Sequence, residues 1–205
     1  MDGVVVWEDQ EFTDRSFTTL SLESGATFRA CRFCRCTFDK ARLNELVTRS
    51  CVFDECSFVG AQLSSSVHHA SSFLNCGFSR ASLFGARLHE CRLIGSDLST
   101  ADLAGLMVEG GDWSYCLLRQ QNLDGTDLSR VKFVEADMFG CSLKNCDLRR
   151  AVLRQANLQQ ADLRGADLRD ADLAETDLRT TNLRKARITI EVAIAFALSH
   201  GMTFE

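Results

Sequence analysis

Apolar residues recur at every fifth position along most of this chain, a period that fits neither the 3.6 of a helix nor the 2.0 of a strand. Residues 156–183, ANLQQADLRGADLRDADLAETDLRTTNL, show the pattern most plainly: a small residue, then Asp or Asn, then Leu. With the apolar residue taken as a centre, the frame runs unbroken from Phe28 to Ile188, and only Thr48 and His68 among the centres are polar. Upstream it slips by one residue and continues through Leu22, Phe17, Phe12 and Trp7. In an extended segment the centre and the residue two before it point to the same side, so both are predicted to face a core. Folding the frame by twenty sorts the centres into four columns. One is leucine throughout, from Leu43, Leu63 and Leu83 to Leu163 and Leu183. Others begin Phe33, Phe53, Phe73 and Phe38, Phe58, Phe78, and Thr48 and His68 fall one above the other in the fourth. Like over like at that offset is what a four-sided coil predicts, each coil hydrogen-bonding to the next and burying a continuous core.

Three stretches depart from the pattern. Residues 1–27 read as an irregular opening coil whose acids (Asp2, Glu8, Asp9, Glu11, Asp14) outweigh Arg15. Residues 105–113, GLMVEGGDW, put Leu106 at a small-residue position, pair Gly110 with Gly111 and bring Trp113 inward, so local distortion is expected there. After Ile188 the period becomes helical. Thr189 is placed to cap a helix, Glu191 lies in its first turn, and Gly201 is a stop signal. That helix is apolar nearly all round, so one side is expected to plug the solenoid and the other to need a partner. The chain divides accordingly into residues 1–188, a repeat β-helix, and 189–205, a capping and dimerising helix with its tail.

The motif A-(D/N)-L-X-X, with Leu or Phe at the centre, resembles that of the pentapeptide-repeat family over nearly the whole chain. What the resemblance implies is an all-β solenoid, a right-handed quadrilateral β-helix, here followed by a short C-terminal α-helix. Within the family the chain is similar to the MfpA/Qnr branch of gyrase-binding quinolone-resistance proteins. Phe centres interleaved with Cys (RACRFCRCTF, SCVFDECSF) and the ending EVAIAFALSHGMTF carry that likeness. The unbroken frame leaves no room for projecting loops, which brings the chain closer to the loop-free MfpA type.

The branch implies a non-enzymatic, cytoplasmic homodimer that occupies the DNA-binding surface of DNA gyrase, a type II topoisomerase, as a DNA mimic. A protein-interaction scaffold unrelated to topoisomerase is the alternative. On the first reading the gyrase-binding acidic surface would be Asp97, Asp102, Asp127, Asp137, Asp147, Asp162, Asp167, Asp172 and Asp177. Dimerisation would fall to Ile190, Val192, Ile194, Phe196, Leu198 and Phe204. The bland alternative for each Asp is a side-chain hydrogen bond to the backbone at the corners.

Charge supports mimicry only in places. Residues 161–180 set six acids against Arg164, Arg169 and Arg179, but residues 141–160 set Asp147 against Lys144, Arg149, Arg150 and Arg154, and the net charge is −5. Of the 10 cysteines, all but Cys34 sit two before a centre, where alanine sits elsewhere, as small buried hydrophobes suited to a reducing compartment. Cys31 and Cys36 point inward from successive sides, so Cys31-Cys34-Cys36 does not read as a zinc site. No cofactor, direct nucleic-acid binding or membrane attachment is expected. His68, His69, His89 and His200 have no nucleophile placed beside them by the repeat, and no phosphate-binding glycine motif is present.

Overall fold

Backbone hydrogen bonds at a fixed offset along the chain organise the computed structural model, which describes residues 5–18 and 20–203. Leu143 N donates to Asp162 O (2.8 Å) and Asp162 N to Cys141 O (2.9 Å), and bonds of this kind tie most five-residue sides to the same side one coil away. Where the sides are most extended they form β1 (Val6–Glu8), β2 (Glu11–Thr13), β3 (Thr27–Arg29), β4 (Arg32–Cys34), β5 (Val47–Arg49), β6 (Val52–Asp54), β7 (Val67–His69), β8 (Ser72–Leu74), β9 (Arg87–His89) and β10 (Met107–Glu109). These stack in parallel as two sheets, β1-β3-β5-β7-β9-β10 and β2-β4-β6-β8. Single-residue parallel bridges carry the pairing on to Asp167 and Arg187. The result is a four-sided parallel β-solenoid. Its first side carries the centres from Phe28 to Leu168, the second Phe33 to Leu173, the third Phe38 to Leu178 and the fourth Leu43 to Leu183.

The frame slip is real. Trp7 pairs with Phe28 and Phe12 with Phe33, one residue more than separates Phe33 from Phe53. The rings stack across it all the same, Trp7 on Phe28 at 4.5 Å and Phe17 on Phe38 at 4.9 Å. Phe33, Phe53 and Phe73 continue at 4.8 Å per step, nearly parallel. Such offset-stacked rings add attraction beyond the area they bury. The in-frame cysteines are buried and Cys34 is half-buried, all ten as free thiols.

Most corners turn through a residue in the left-handed region, two after the centre. It is often not glycine: Lys40 has φ 58°, Gln120 59° and Arg150 59°. That conformation costs an L-residue about 1–2 kcal/mol, and the backbone compensates, since Gln120 N reaches Phe139 O at 2.9 Å.

The 105–113 stretch bears out the expected distortion: no backbone hydrogen bond or bridge joins residues 102–110 to 122–130 on the fourth and first sides, whereas Trp113 N to Lys132 O (2.7 Å) keeps the second side closed. Gly111, with φ 109°, occupies an inward position, and a Cβ there would run into the Cys91 carbonyl. Its missing side chain compensates the volume of Trp113 next along, which is fully buried. The Trp113 Nε1–H, however, has no acceptor. An unpaired buried donor costs about 1–3 kcal/mol, so Trp113→Phe is expected to melt within about 3 °C of the parent, or above it, despite the smaller ring. A loss beyond 10 °C in a thermal melt would mean the indole N–H is satisfied.

The two polar centres form one closed network. Ser71 Oγ donates to the His69 carbonyl (3.1 Å) and accepts from Cys51 N (3.3 Å), so the Thr48 hydroxyl, 2.9 Å away, donates to it. His68 Nδ1–H must then donate to Thr48 Oγ1 (2.7 Å), leaving Nε2 to accept from Ser66 Oγ (2.9 Å). Thr48, Ser66, His68 and Ser71 are all buried.

Inward placement ends before Ile188, which is 41% exposed, a correction to the frame. The chain leaves the solenoid at Thr189, so no further coil covers that residue. Helix α1 (Ile190–Ser199) follows, its N-cap Thr189 making no side-chain capping bond. It ends as Gly201 indicates: Met202 N bonds Ala197 O (3.0 Å) and Gly201 N bonds Leu198 O (2.9 Å), with Gly201 at φ 75°.

Candidate protein-binding surface

An Asp or Asn before a centre faces the outside of the coil between two buried neighbours, and its side chain reaches the backbone N–H two residues on. All nine candidate carboxylates do this: Ser129 N to Asp127 Oδ1 is 2.9 Å, Arg149 N to Asp147 3.0 Å and Arg169 N to Asp167 3.3 Å, with the same bond at Asp97, Asp102, Asp137, Asp162, Asp172 and Asp177. Asn157 and Asn182 make it equally well, which is why the repeat accepts either residue. The consensus carboxyl is therefore first a turn-forming hook.

Most of these carboxylates are also neutralised. Arg149, Arg164, Arg169 and Arg179 fold back onto Asp147, Asp162, Asp167 and Asp177 at 2.5–2.7 Å. Arg119 meets Asp137 at 2.8 Å and Arg154 meets Asp172 at 2.5 Å. The Arg169 guanidinium beside Asp167 pulls its carboxyl down to about 2, and Arg179 holds Asp177 well below the usual carboxylate range. Such exposed pairs add little stability, but they cancel the field a mimic would need. Asp97, Asp102 and Asp127 have no ion pair among the described residues. The nine lie on all four sides: Asp127, Asp147 and Asp167 on the first, Asp172 on the second, Asp97, Asp137 and Asp177 on the third, Asp102 and Asp162 on the fourth.

Apolar exposure falls within residues 84–117, on all four sides, a feature the sequence reading passed over. Between Val6 and Ile188, the large apolar side chains standing in solvent among the described residues are Phe84 (55% exposed), Met107 (46%), Tyr115 (51%) and Leu117 (40%). Each occupies an outward slot of the frame, so the signal was available. Beside Phe84, small residues leave a hollow of about 340 Å³ lined by Asp102, Ala104, Gly105, Asn122, Asp124 and Thr126. Two basic hollows lie nearer the C-terminus, one holding Arg130, Arg149, Arg150 and Arg169, the other Lys144, Arg164, Arg184 and Lys185.

Helix α1 divides its apolar residues. Val192 is buried and Phe196 packs on the solenoid core, so these two differ from the expectation that they face a partner. Ile190, Ile194, Leu198 and Met202 line the open side. Phe204, also expected at a dimer contact, lies outside the described residues. No helix is long and apolar enough to cross a membrane, and no group of His, Cys, Asp or Glu among the described residues is arranged to hold a metal ion.

Five-residue sides, inward Leu and Phe, and Asp hooks at the corners define a repeat solenoid whose chemistry is confined to its outer surface. The chain belongs to the pentapeptide-repeat family: the family model described as pentapeptide repeats matches it in overlapping copies across residues 70–184. Among solved structures it resembles a trypsin-treated form of QnrB1, a plasmid-mediated fluoroquinolone resistance protein, with TM-score 0.84 and 18% identity over 98% of this chain and 100% of that one. Another trypsin-treated form gives 0.82 at 18% identity over 97% and 99%, and the full-length protein 0.77 at 18% over 94% and 100%. No curated protein sequence matches significantly.

Proposed function

We propose that this chain is a non-enzymatic, cytoplasmic protein that binds DNA gyrase and protects it from quinolone-type inhibitors or modulates its response to them. The observation that carries this reading is end-to-end likeness in fold to QnrB1, a fluoroquinolone resistance protein, over essentially the full length of both chains. Mimicry of DNA then rests on the dimensions of the rod and on Asp97, Asp102 and Asp127, because arginine already occupies the other six carboxylates. That neutralisation is also what favours the second reading, a scaffold of the same family with no topoisomerase partner. Supercoiling by purified gyrase, with and without a quinolone, separates them: protection or inhibition at stoichiometric protein supports the first, and no effect at low salt removes it. Asp→Asn changes at 97, 102 and 127 keep the backbone hook and delete charge, so they test the electrostatic part without disturbing the coil.

Dimerisation through α1 belongs to the same proposal. The open side at Ile190, Ile194, Leu198 and Met202 would meet its own copy about a two-fold axis. Ile194→Asp is expected to give a monomer in sedimentation with an unchanged melting temperature. A variant that stays dimeric would place the contact elsewhere.

A further inference from the structure

We infer that the partner docks on the corner between the fourth and first sides, with Phe84 and Met107 as apolar anchors and Asp102 and Asp127 meeting a basic rim. This rests on the proposed reading that the rod acts by binding a protein, and it names where and with what chemistry.

The frame makes the geometry explicit. Phe84 follows the centre Leu83 on the fourth side, and the coil above presents only Ala104 and Gly105 there, with Gly85 N bonded to Ala104 O at 2.9 Å. No side chain therefore covers the ring. Met107 precedes Val108 on the first side, across the corner, and Asp127 takes the same slot one coil further on. The corner carries no side chain at Gly85, Gly105 and Gly125, and the 340 Å³ hollow opens between residues 101–105 and 121–126, where no backbone hydrogen bond joins the two coils. Solvent-exposed Phe and Met cost the free protein solubility, and together they offer what interface hot spots use: large apolar groups beside a recess, here edged by the polar side chains of Asp102, Asn122 and Asp124.

Charge selects the occupant. Asp102 and Asp127 are exposed and carry no ion pair, whereas Asp124 in the hollow is held by Ser142 and Lys144. Glu109 and Glu90 lie further round the first side, against Arg87, one coil before Met107, and Arg130, in the slot of Glu90 two coils on. The rim is therefore net acidic. Nucleic acid and anionic lipid are repelled by it, and a second copy docking through the same corner about a two-fold axis would bring like charges together. A protein surface with Arg or Lys around an apolar pocket fits both features.

The test uses Phe84→Ser and Met107→Thr, outward positions where Ser64 already stands one coil before Phe84 and Thr27 occupies the slot of Met107 on the first side. Melting temperatures should match the parent. For immobilised gyrase, each change should raise Kd at least about tenfold, and Asp102→Asn with Asp127→Asn should flatten its salt dependence. If the parent binds gyrase and the Phe84→Ser/Met107→Thr double variant binds as tightly, the inference is overturned and the partner stands. A labelled peptide of alternating arginine and leucine provides a probe independent of gyrase. The parent should bind it several-fold more tightly than the double variant. Equal affinity overturns the inference whatever gyrase does, and a parent that binds the peptide but not gyrase overturns the proposed partner alone.

Discussion

Leu143→Asp is expected to abolish the cooperative melt of this protein. Leu143 is fully buried in the leucine column, with Leu123 and Leu163 directly before and after it. Losing its burial forfeits about 1.5–3 kcal/mol, and a carboxylate placed there without a partner adds several more. Domains hold only about 5–15 kcal/mol in total. Leu143→Ala is the measured contrast: it leaves a cavity costing about 2–5 kcal/mol, and at about 2–4 °C per kcal/mol for a chain of this size it should still fold. Far-UV circular dichroism on heating distinguishes the two. If the Asp variant melts within about 5 °C of the parent, position 143 does not face the core.

Acid should weaken the protein well before its carboxylates titrate. Burial pushes the His68 pKa down to about 3 from an ordinary 6.5, and the neutral ring is what the Thr48 and Ser66 hydroxyls hold. In the unfolded chain His68 takes up a proton as pH falls through 6.5, and in the folded chain it stays neutral until about 3. Between those values the unfolded state binds more protons. The stability contribution is therefore complete above pH 6.5 and declines on acidification by roughly 1.4 kcal/mol per pH unit. Asp147, Asp162 and Asp167, whose pKa values are lowered by their arginines, lose their contribution only as pH falls through the ordinary carboxylate range and below. The window from about pH 6.5 to 4.5 therefore isolates the histidine, apart from a small slope from His69, lowered by partial burial and by Arg49. Urea titrations across that window should show the slope in the parent and lose it in Thr48→Val/His68→Leu, whatever the variant's absolute stability. A parent whose stability is flat from pH 6.5 to 4.5 would contradict the assignment.

The coil was legible because a five-residue period has few physical explanations, and the column of leucines from Leu43 to Leu183 identifies the number of sides. Even the slip before Phe28 could be read, since a ring stack survives it. The site was harder. Asp147 and Arg149 look like independent surface charges in the sequence. Only the pleat, which turns both to the outside of one side, reveals that they neutralise each other. Gly110-Gly111 suggested a break, and the ladder is open on the two sides just before them, while Gly111 also lets Trp113 fit. Phe84 and Met107 sit in outward slots and were readable in principle, Met107 standing where the repeat elsewhere carries Asp.

The fixed hydrogen-bond offset has a consequence for how such a gene can change length. Removing one residue between Phe28 and Leu183 would rotate every downstream side chain out of its column, turning leucines to water and aspartates to the core. Removing or duplicating one whole circuit of four sides returns each residue to its own column, with only the two junctions to be repaired. Heritable growth and shrinkage of this rod therefore proceed in whole circuits, and the extra residue before Phe28 is tolerated because only the opening circuit lies upstream of it.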